Sequence, residues 1–239
     1  MPTGSSLGRT ALTAERLRAL IPAGWCAAID VMLAESVFQD LAVRLAAEQR
    51  DIFPAREQWF RALDVTSLTE VRAVIIGQDP YPKKEQAEGL AFSVPDGVRP
   101  VPPSLLRILG ETKREDTIVP GRTSLLPWAK RGVLLLNTVL TVPEGKAGGH
   151  AKIGWQPVTD AILRAVASQP GPVVFMAWGA HARAAVMRTG IEDGHPHIVC
   201  SSVHPMERRG SFIGSNPFGC VNDRLLRIGQ APIDWSLDQ

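Results

Sequence analysis

The chain is predicted to be α/β: a central four-stranded, mostly parallel, twisted sheet flanked by helices in three α/β/α layers. Four short apolar runs read as strands, "VRAVIIG" (71–77), "GVLLLNT" (132–138), "PVVFMAWG" (172–179) and "HIVCSSVH" (197–204). None alternates cleanly between apolar and polar residues, and continuous apolar runs suit strands covered on both faces, as parallel strands are. Helical patterns separate the runs, and strand alternating with helix is the signature of a parallel sheet. A polar cluster follows each run directly ("GQDPYP", "NTVLTV", "WGAH", "HPMERR"). Ligands of such sheets bind outside the carboxyl ends of the strands, so the four clusters are expected to converge on one pocket.

Taken in order, about the first 12 residues are small and polar and are expected to form a frayed tail. "SVFQDLAVRLAAEQRD" (36–51) repeats apolar residues at helical spacing and precedes the first strand. "SLLRILGETKRED" (104–116) lies between the first and second strands and "QPVTDAILRAVAS" (156–168) between the second and third. "GAHARAAVMRTG" (179–190) links the third to the fourth, and "NDRLLRIG" (222–229) is the last helix. Long linkers, repeats and low-complexity tracts are absent, so residues 1–239 read as one domain.

Hydrophobic residues make up 45% of the chain, enough for a sizeable core, and 26 basic against 24 acidic residues give a net charge of +2. That balance does not announce a nucleic-acid binder, though it leaves room for a local basic face. Cys26, Cys200 and Cys220 are an odd number without metal-ligand spacing and read as reduced thiols of a cytoplasmic protein. No apolar run reaches the roughly 18 residues of a membrane span, and the N-terminus lacks a basic-then-apolar signal pattern. No metal or organic cofactor is implied, since an iron–sulfur cluster takes four thiolates.

The densest motif is "IIGQDPYP" (75–82). Gly77 permits a sharp turn or a close backbone approach, and Pro80 and Pro82 stiffen the loop. On the residues alone, Asp79 is either a functional carboxylate or an Asx-turn acceptor that stabilises the loop. Neither GxxxxGK[ST] nor GxGxxG is present, which weighs against an ordinary nucleotide enzyme.

"VIIGQDPYP", "GLAFSVP" (89–95), "PWAKRGVLLLNTVLTV" (127–142), "HAKIGWQPVTD" (150–160), "WGAHA" (178–182) and "SSVHP" (201–205) follow one another in the order found in the uracil-DNA glycosylases of the main, ubiquitous family, which the chain resembles from about residue 25 to its closing "RLLRIGQAPIDWSL". The resemblance implies a monofunctional hydrolase of base excision repair. It flips uracil out of DNA and cleaves the N-glycosidic bond, leaving free uracil and an abasic site. Phe92 then stacks on the flipped base. Asn137 reads it, accepting from N3–H and donating to O4, a pattern cytosine reverses. Tyr81 walls off C5, because an apolar pocket alone discriminates a methyl by only ~1–3 kcal/mol. His204, as a neutral imidazole, donates to O2 as charge develops there, helped by backbone N–H groups around Gln78 and Asp79. Asp79 stabilises an oxocarbenium-like sugar and orients water. For the phosphates the resemblance points to Ser104, expected as a helix N-cap after a Pro-rich loop, to Gly179, Ala180 and His181, and to Ser93. His150 is either structural or functional.

Two departures from the family pattern stand out. Pro82 occupies the place of a His after Tyr81. After His204-Pro205 the family continues Ser-Pro-Leu-Ser, its Leu filling the gap left by the flipped base; here Met206-Glu207-Arg208-Arg209 follows, in a loop about two residues shorter. Met206 is a candidate wedge, and Arg208 or Arg209 could enter the gap or grip phosphate. The expected partners are uracil-containing DNA, single- and double-stranded, and the abasic product, with weak or no binding of DNA-mimic inhibitor proteins directed at the Leu loop. A monomer without membrane contact is expected. A uracil- or abasic-DNA binding protein with weak or altered activity is the rival reading, and an excision enzyme for a different base is another.

Overall fold

A computed structural model describes residues 12–112, 121–193, 196–208 and 211–238. Residues 1–11 of the expected tail and Arg209 of the loop after His204 lie outside this range. The chain opens with three helices, α1 (Ala14–Arg18), α2 (Ala23–Asp30) and α3 (Glu35–Ala47). Thr13 caps α1 by accepting the Arg16 N–H, as a hydroxyl before a first turn does. α3 stops four residues short of the pattern read from the sequence. There follow β1 (Ile52–Phe53), α4 (Arg61–Val65), β2 (Ala73–Gly77), α5 (Pro103–Glu111), α6 (Leu126–Lys130), β3 (Val133–Asn137), β4 (Val142–Pro143), α7 (Trp155–Ala167), β5 (Val174–Trp178), α8 (Gly179–Arg188), β6 (Ile198–Ser202) and α9 (Pro217–Arg227).

The four expected strands form one sheet in the order β3-β2-β5-β6 with every pairing parallel. Every residue of β2, β3 and β5 is buried, which requires cover on both faces and accounts for their unbroken apolar runs. β6, at the sheet edge, is only partly buried. Because all four strands run the same way, Gly77, Asn137, Trp178 and Ser202 end at one edge, Gly77 in register with Asn137 and Trp178 with Ser202. A small antiparallel pair, β1 with β4, was not expected; it fixes where the loop after β4 begins.

Two helix boundaries differ from the sequence reading. α9 starts at Pro217, five residues before the apolar pattern, because Asn216 caps it: its side chain accepts the Gly219 N–H and its own backbone is left-handed. α5 starts at Pro103 with Pro102 at the cap position, so Ser104 is not an N-cap but sits inside the first turn. The tail of that predicted helix, from residue 113, lies outside the described residues. Beyond α9 the chain is extended and folds across Trp128, whose indole N–H donates to the Trp235 carbonyl at 3.0 Å. Cys26, Cys200 and Cys220 are free, with the Cys200 and Cys220 sulfurs 3.1 Å apart.

Candidate active site

The carboxyl edge of the sheet carries the site. At its centre β2 and β3 approach so closely that a methyl on Gly77 would lie 2.1 Å from the Asn137 Oδ1. Glycine is therefore what lets the Asn137 amide lie across the end of β2. Asn137 is 7% exposed, and a buried amide without partners is costly. The next residue continues the same seam. The Thr138 hydroxyl donates to the Gln78 carbonyl at 3.1 Å and meets His181 Nε2 at 2.7 Å. With its one proton given to Gln78, it accepts from His181, which places a proton on that Nε2.

Asp79 follows the exposed Gln78 in the loop leaving β2. Its Oδ2 accepts the Gly148 N–H at 2.6 Å. Partial burial raises its pKa above the ordinary carboxylate value, while the Gly148 N–H and the nearby His181 pull it back. The loop is held from the other side as well, since the Pro82 carbonyl accepts the Gly145 N–H at 2.8 Å. Gly148 escaped the sequence reading because a backbone donor leaves no side-chain signature; only the "AGG" tract hinted at a tight turn.

Tyr81 is pinned at its tip. Its hydroxyl donates to the Phe92 carbonyl at 3.1 Å and contacts the Ser104 Oγ at 2.9 Å, and burial pushes its pKa up to about 12. Phe92 holds a left-handed backbone, φ 63°, which a bulky residue adopts only under constraint. Its ring stands 5.7 Å from Trp178 and 6.1 Å from the His204 ring, tilted to both. Asp79, Tyr81, Phe92 and Asn137 line one small cavity together with the buried Glu88.

His204 leaves the end of β6. Its Nδ1 accepts the Met206 N–H at 3.0 Å, so the ring proton of the neutral imidazole sits on Nε2. Burial lowers its pKa; Glu207 acts the other way and His181 adds to the lowering. Gly179, with φ 80°, lies against it: a methyl there would come within 2.7 Å of the His204 Cβ.

The expected phosphate contacts fare unevenly. Ala180 is exposed in the first turn of α8. Met206 is 43% exposed, and Arg208 is exposed as well, its backbone N–H bonded to Glu207. Ser104 is a correction, being buried with its hydroxyl on Tyr81 rather than turned outward. Ser93 is another. It is 1% exposed, donates to Glu88 and accepts the Leu125 N–H at 2.7 Å, so its hydroxyl is committed inside the fold. His181 spends its Nε2 on Thr138. His150 is buried between the Thr141 hydroxyl at 2.8 Å and Glu48 at 3.6 Å, a structural placement. Among the described residues no cluster of three or more His, Cys, Asp or Glu is built to hold a metal ion, and no helix is long and apolar enough to cross a membrane.

The chain resembles known proteins over most of its length. The model of the Uracil DNA glycosylase superfamily matches residues 63–212, which span all four strands and His204. The chain is 45% identical to a uracil-DNA glycosylase of Dichelobacter nodosus over 86% of this chain and 93% of that one. It is 42% identical to that of Azotobacter vinelandii, over 93% and 97%. Among solved structures, mimivirus uracil-DNA glycosylase superposes with a TM-score of 0.82 at 26% identity, covering 92% of this chain and 89% of the other. A variant of that viral protein, solved in complex with UGI, superposes equally well. Fold and sequence thus agree over most of the length, and the chain belongs to the uracil-DNA glycosylase superfamily.

Proposed function

We propose that the chain hydrolyses the N-glycosidic bond of uracil in DNA, with Asp79 and His204 as catalytic residues and Gln78, Tyr81, Phe92 and Asn137 as the uracil pocket. The observation that carries this reading is the imidazole of His204, whose Nδ1 is occupied by the Met206 N–H so that Nε2–H is the donor left for a ligand. The flipped base stacks on Phe92, pairs with Asn137 and abuts the stiffened Tyr81 ring at C5. The C1′–N1 bond then breaks with its electron pair moving onto the uracil ring. His204 Nε2–H and backbone N–H groups around Gln78 and Asp79 stabilise the resulting anion at O2. The Asp79 carboxylate faces the cationic sugar and orients the water that adds to C1′. A neutral His204 is a donor that carries no charge of its own to the ground state, and Asp79 acts in its carboxylate form, which the Gly148 N–H and His181 favour against burial.

Met206, Arg208 and Arg209 form the DNA-gripping loop in this reading, with Gly179 and Ala180 offering backbone donors to phosphate. The shorter loop lacks the family's Leu, so the enzyme is expected either to tolerate single-stranded substrate better than duplex or to hold its abasic product tightly. UGI, which binds the mimivirus variant, is expected to inhibit this chain weakly; full inhibition at a stoichiometric amount would contradict that. The enzyme acts as a one-domain cytoplasmic monomer. The deciding experiment is release of free uracil from labelled single- and double-stranded oligonucleotides. Asp79→Asn measured alongside keeps DNA binding and loses rate by ~100-fold or more; binding of uracil-DNA without any release by the parent protein would favour a pure binding module.

A further inference from the structure

α5 runs beneath the loop that leaves β6, and one of its faces reaches three parts of the site. Ser104, Arg107 and Glu111 are three and four residues apart, which stacks them along one stripe of the helix. Ser104 meets the Tyr81 hydroxyl. Arg107 donates to the Pro205 carbonyl at 2.8 Å. Glu111, only 3% exposed, accepts the N–H of Gly214 at 2.6 Å and of Asn216 at 2.7 Å, closing the far end of the loop.

The Arg107 contact matters because of the peptide it holds. The Pro205 carbonyl and the Met206 N–H belong to one peptide unit, which is planar and stiff. Its oxygen takes the guanidinium, and its N–H donates to His204 Nδ1 at 3.0 Å. Fixing the oxygen fixes the direction of the N–H. A cation on the carbonyl also polarises the amide and strengthens its N–H as a donor. Both effects hold Nδ1 as an acceptor. The other charged and titratable groups acting on the ring are Glu207 in its own loop and His181 on α8, with Asp79 acting on His181 in turn.

We propose that Arg107 is a positioning residue for His204: through the Pro205–Met206 peptide it fixes the imidazole as the neutral tautomer protonated at Nε2. Its consequence for rate rests on the reading of His204 as the leaving-group donor; its consequence for the tautomer does not. Without Arg107 the peptide is free to rotate, Nδ1 turns to water, and both tautomers are populated.

The test uses the full chain labelled with 15N-histidine. Long-range proton–nitrogen spectra of the parent protein are expected to show His204 as the Nε2–H tautomer. Arg107→Met is expected to give mixed tautomers and a higher titration midpoint. It should lower single-turnover uracil release about tenfold while leaving oligonucleotide affinity unchanged. Arg107→Lys, which keeps a cationic donor, is expected to restore part of the tautomer bias. A parent-like tautomer and midpoint in Arg107→Met would overturn the proposal, as would weakened DNA affinity with the tautomer intact. Should Arg107→Met fail to fold, Arg107→Gln is read the same way: loss of the charge is expected to raise the midpoint, and an unmoved midpoint overturns the idea. If the parent protein releases no uracil, the proposed function falls while the spectra still decide the role of Arg107.

Discussion

Gly77→Ala separates the geometry of Asn137 from its chemistry. The added methyl would lie 2.1 Å from the Asn137 Oδ1 and 2.9 Å from the Ala91 Cβ. Contacts of a Cβ begin near 3.0 Å, so the amide must retreat by about 0.9 Å. Nothing yields on the other side: Ala91 is fully buried and its N–H is bonded to the Leu135 carbonyl at 3.0 Å. The amide is therefore displaced, and in the proposed pocket it is the group that pairs with the base. A misplacement of about 1 Å in a positioned group costs on the order of 100-fold in rate, and overpacking of this kind costs about 1–3 kcal/mol of stability. Single-turnover uracil release with enzyme in excess reads the first effect and thermal melting the second. Gly24→Ala, where no heavy atom lies within 4 Å of the added methyl, is the control and should leave the rate unchanged. A Gly77→Ala rate close to that of the parent protein would refute both the crowding and the role of Asn137.

Gly179→Ala adds a methyl 2.7 Å from the His204 Cβ at a φ of 80° that disfavours any side chain; a loss of ~10–100-fold in single-turnover rate with retained DNA affinity is expected, and an unaltered rate would detach His204 from this packing. The acid limb of the rate should lie above the ordinary aspartate value, because burial raises the Asp79 pKa and the carboxylate must be ionised; a limb at the ordinary value would contradict it. Asp79→Asn should melt higher than the parent protein at neutral pH. The folded-state pKa of Asp79 lies above the unfolded one, so its contribution to stability is full below the unfolded value and is lost as pH rises through the folded one. An amide in its place keeps an acceptor for Gly148 and escapes that loss; a lower melting temperature would show that the ionised group stabilises the fold.

The sheet was legible because burial on both faces leaves β2 and β5 without polar residues and β3 with only its terminal Asn137, and the edge that carries the candidate site was legible because a polar cluster follows each strand. What escaped detection depended on contacts between distant residues. The β1 and β4 strands are two residues each, too short for any period. Ser93 and Ser104 looked like surface hydroxyls beside Pro-rich loops, and only the folded chain brings Glu88 and Tyr81 to them. The start of α9 could have been read, since an Asn before Pro is a cap-and-first-turn signal; the apolar pattern from residue 222 drew attention past it. Arg107 gave no sign of its bond to Pro205, because a carbonyl 98 residues away has no sequence signature.

Burial acts on the two catalytic candidates in one direction and on their function in two. It favours the neutral form of both, raising Asp79 and lowering His204. For His204 that suits the proposed mechanism, which uses an uncharged ring as donor. For Asp79 it works against the proposed mechanism, which uses the carboxylate. The surroundings answer this asymmetry. Asp79 receives a backbone donor from Gly148 and faces His181, both of which favour its ionised form. His204 receives a donor on Nδ1, which disfavours its charged form. What is hydrogen-bonded to each group thus pulls the two in opposite directions, partly offsetting burial at Asp79 and adding to it at His204. Ionising Asp79 carries a desolvation cost, so the proposed mechanism gives up part of the fold's stability at this residue.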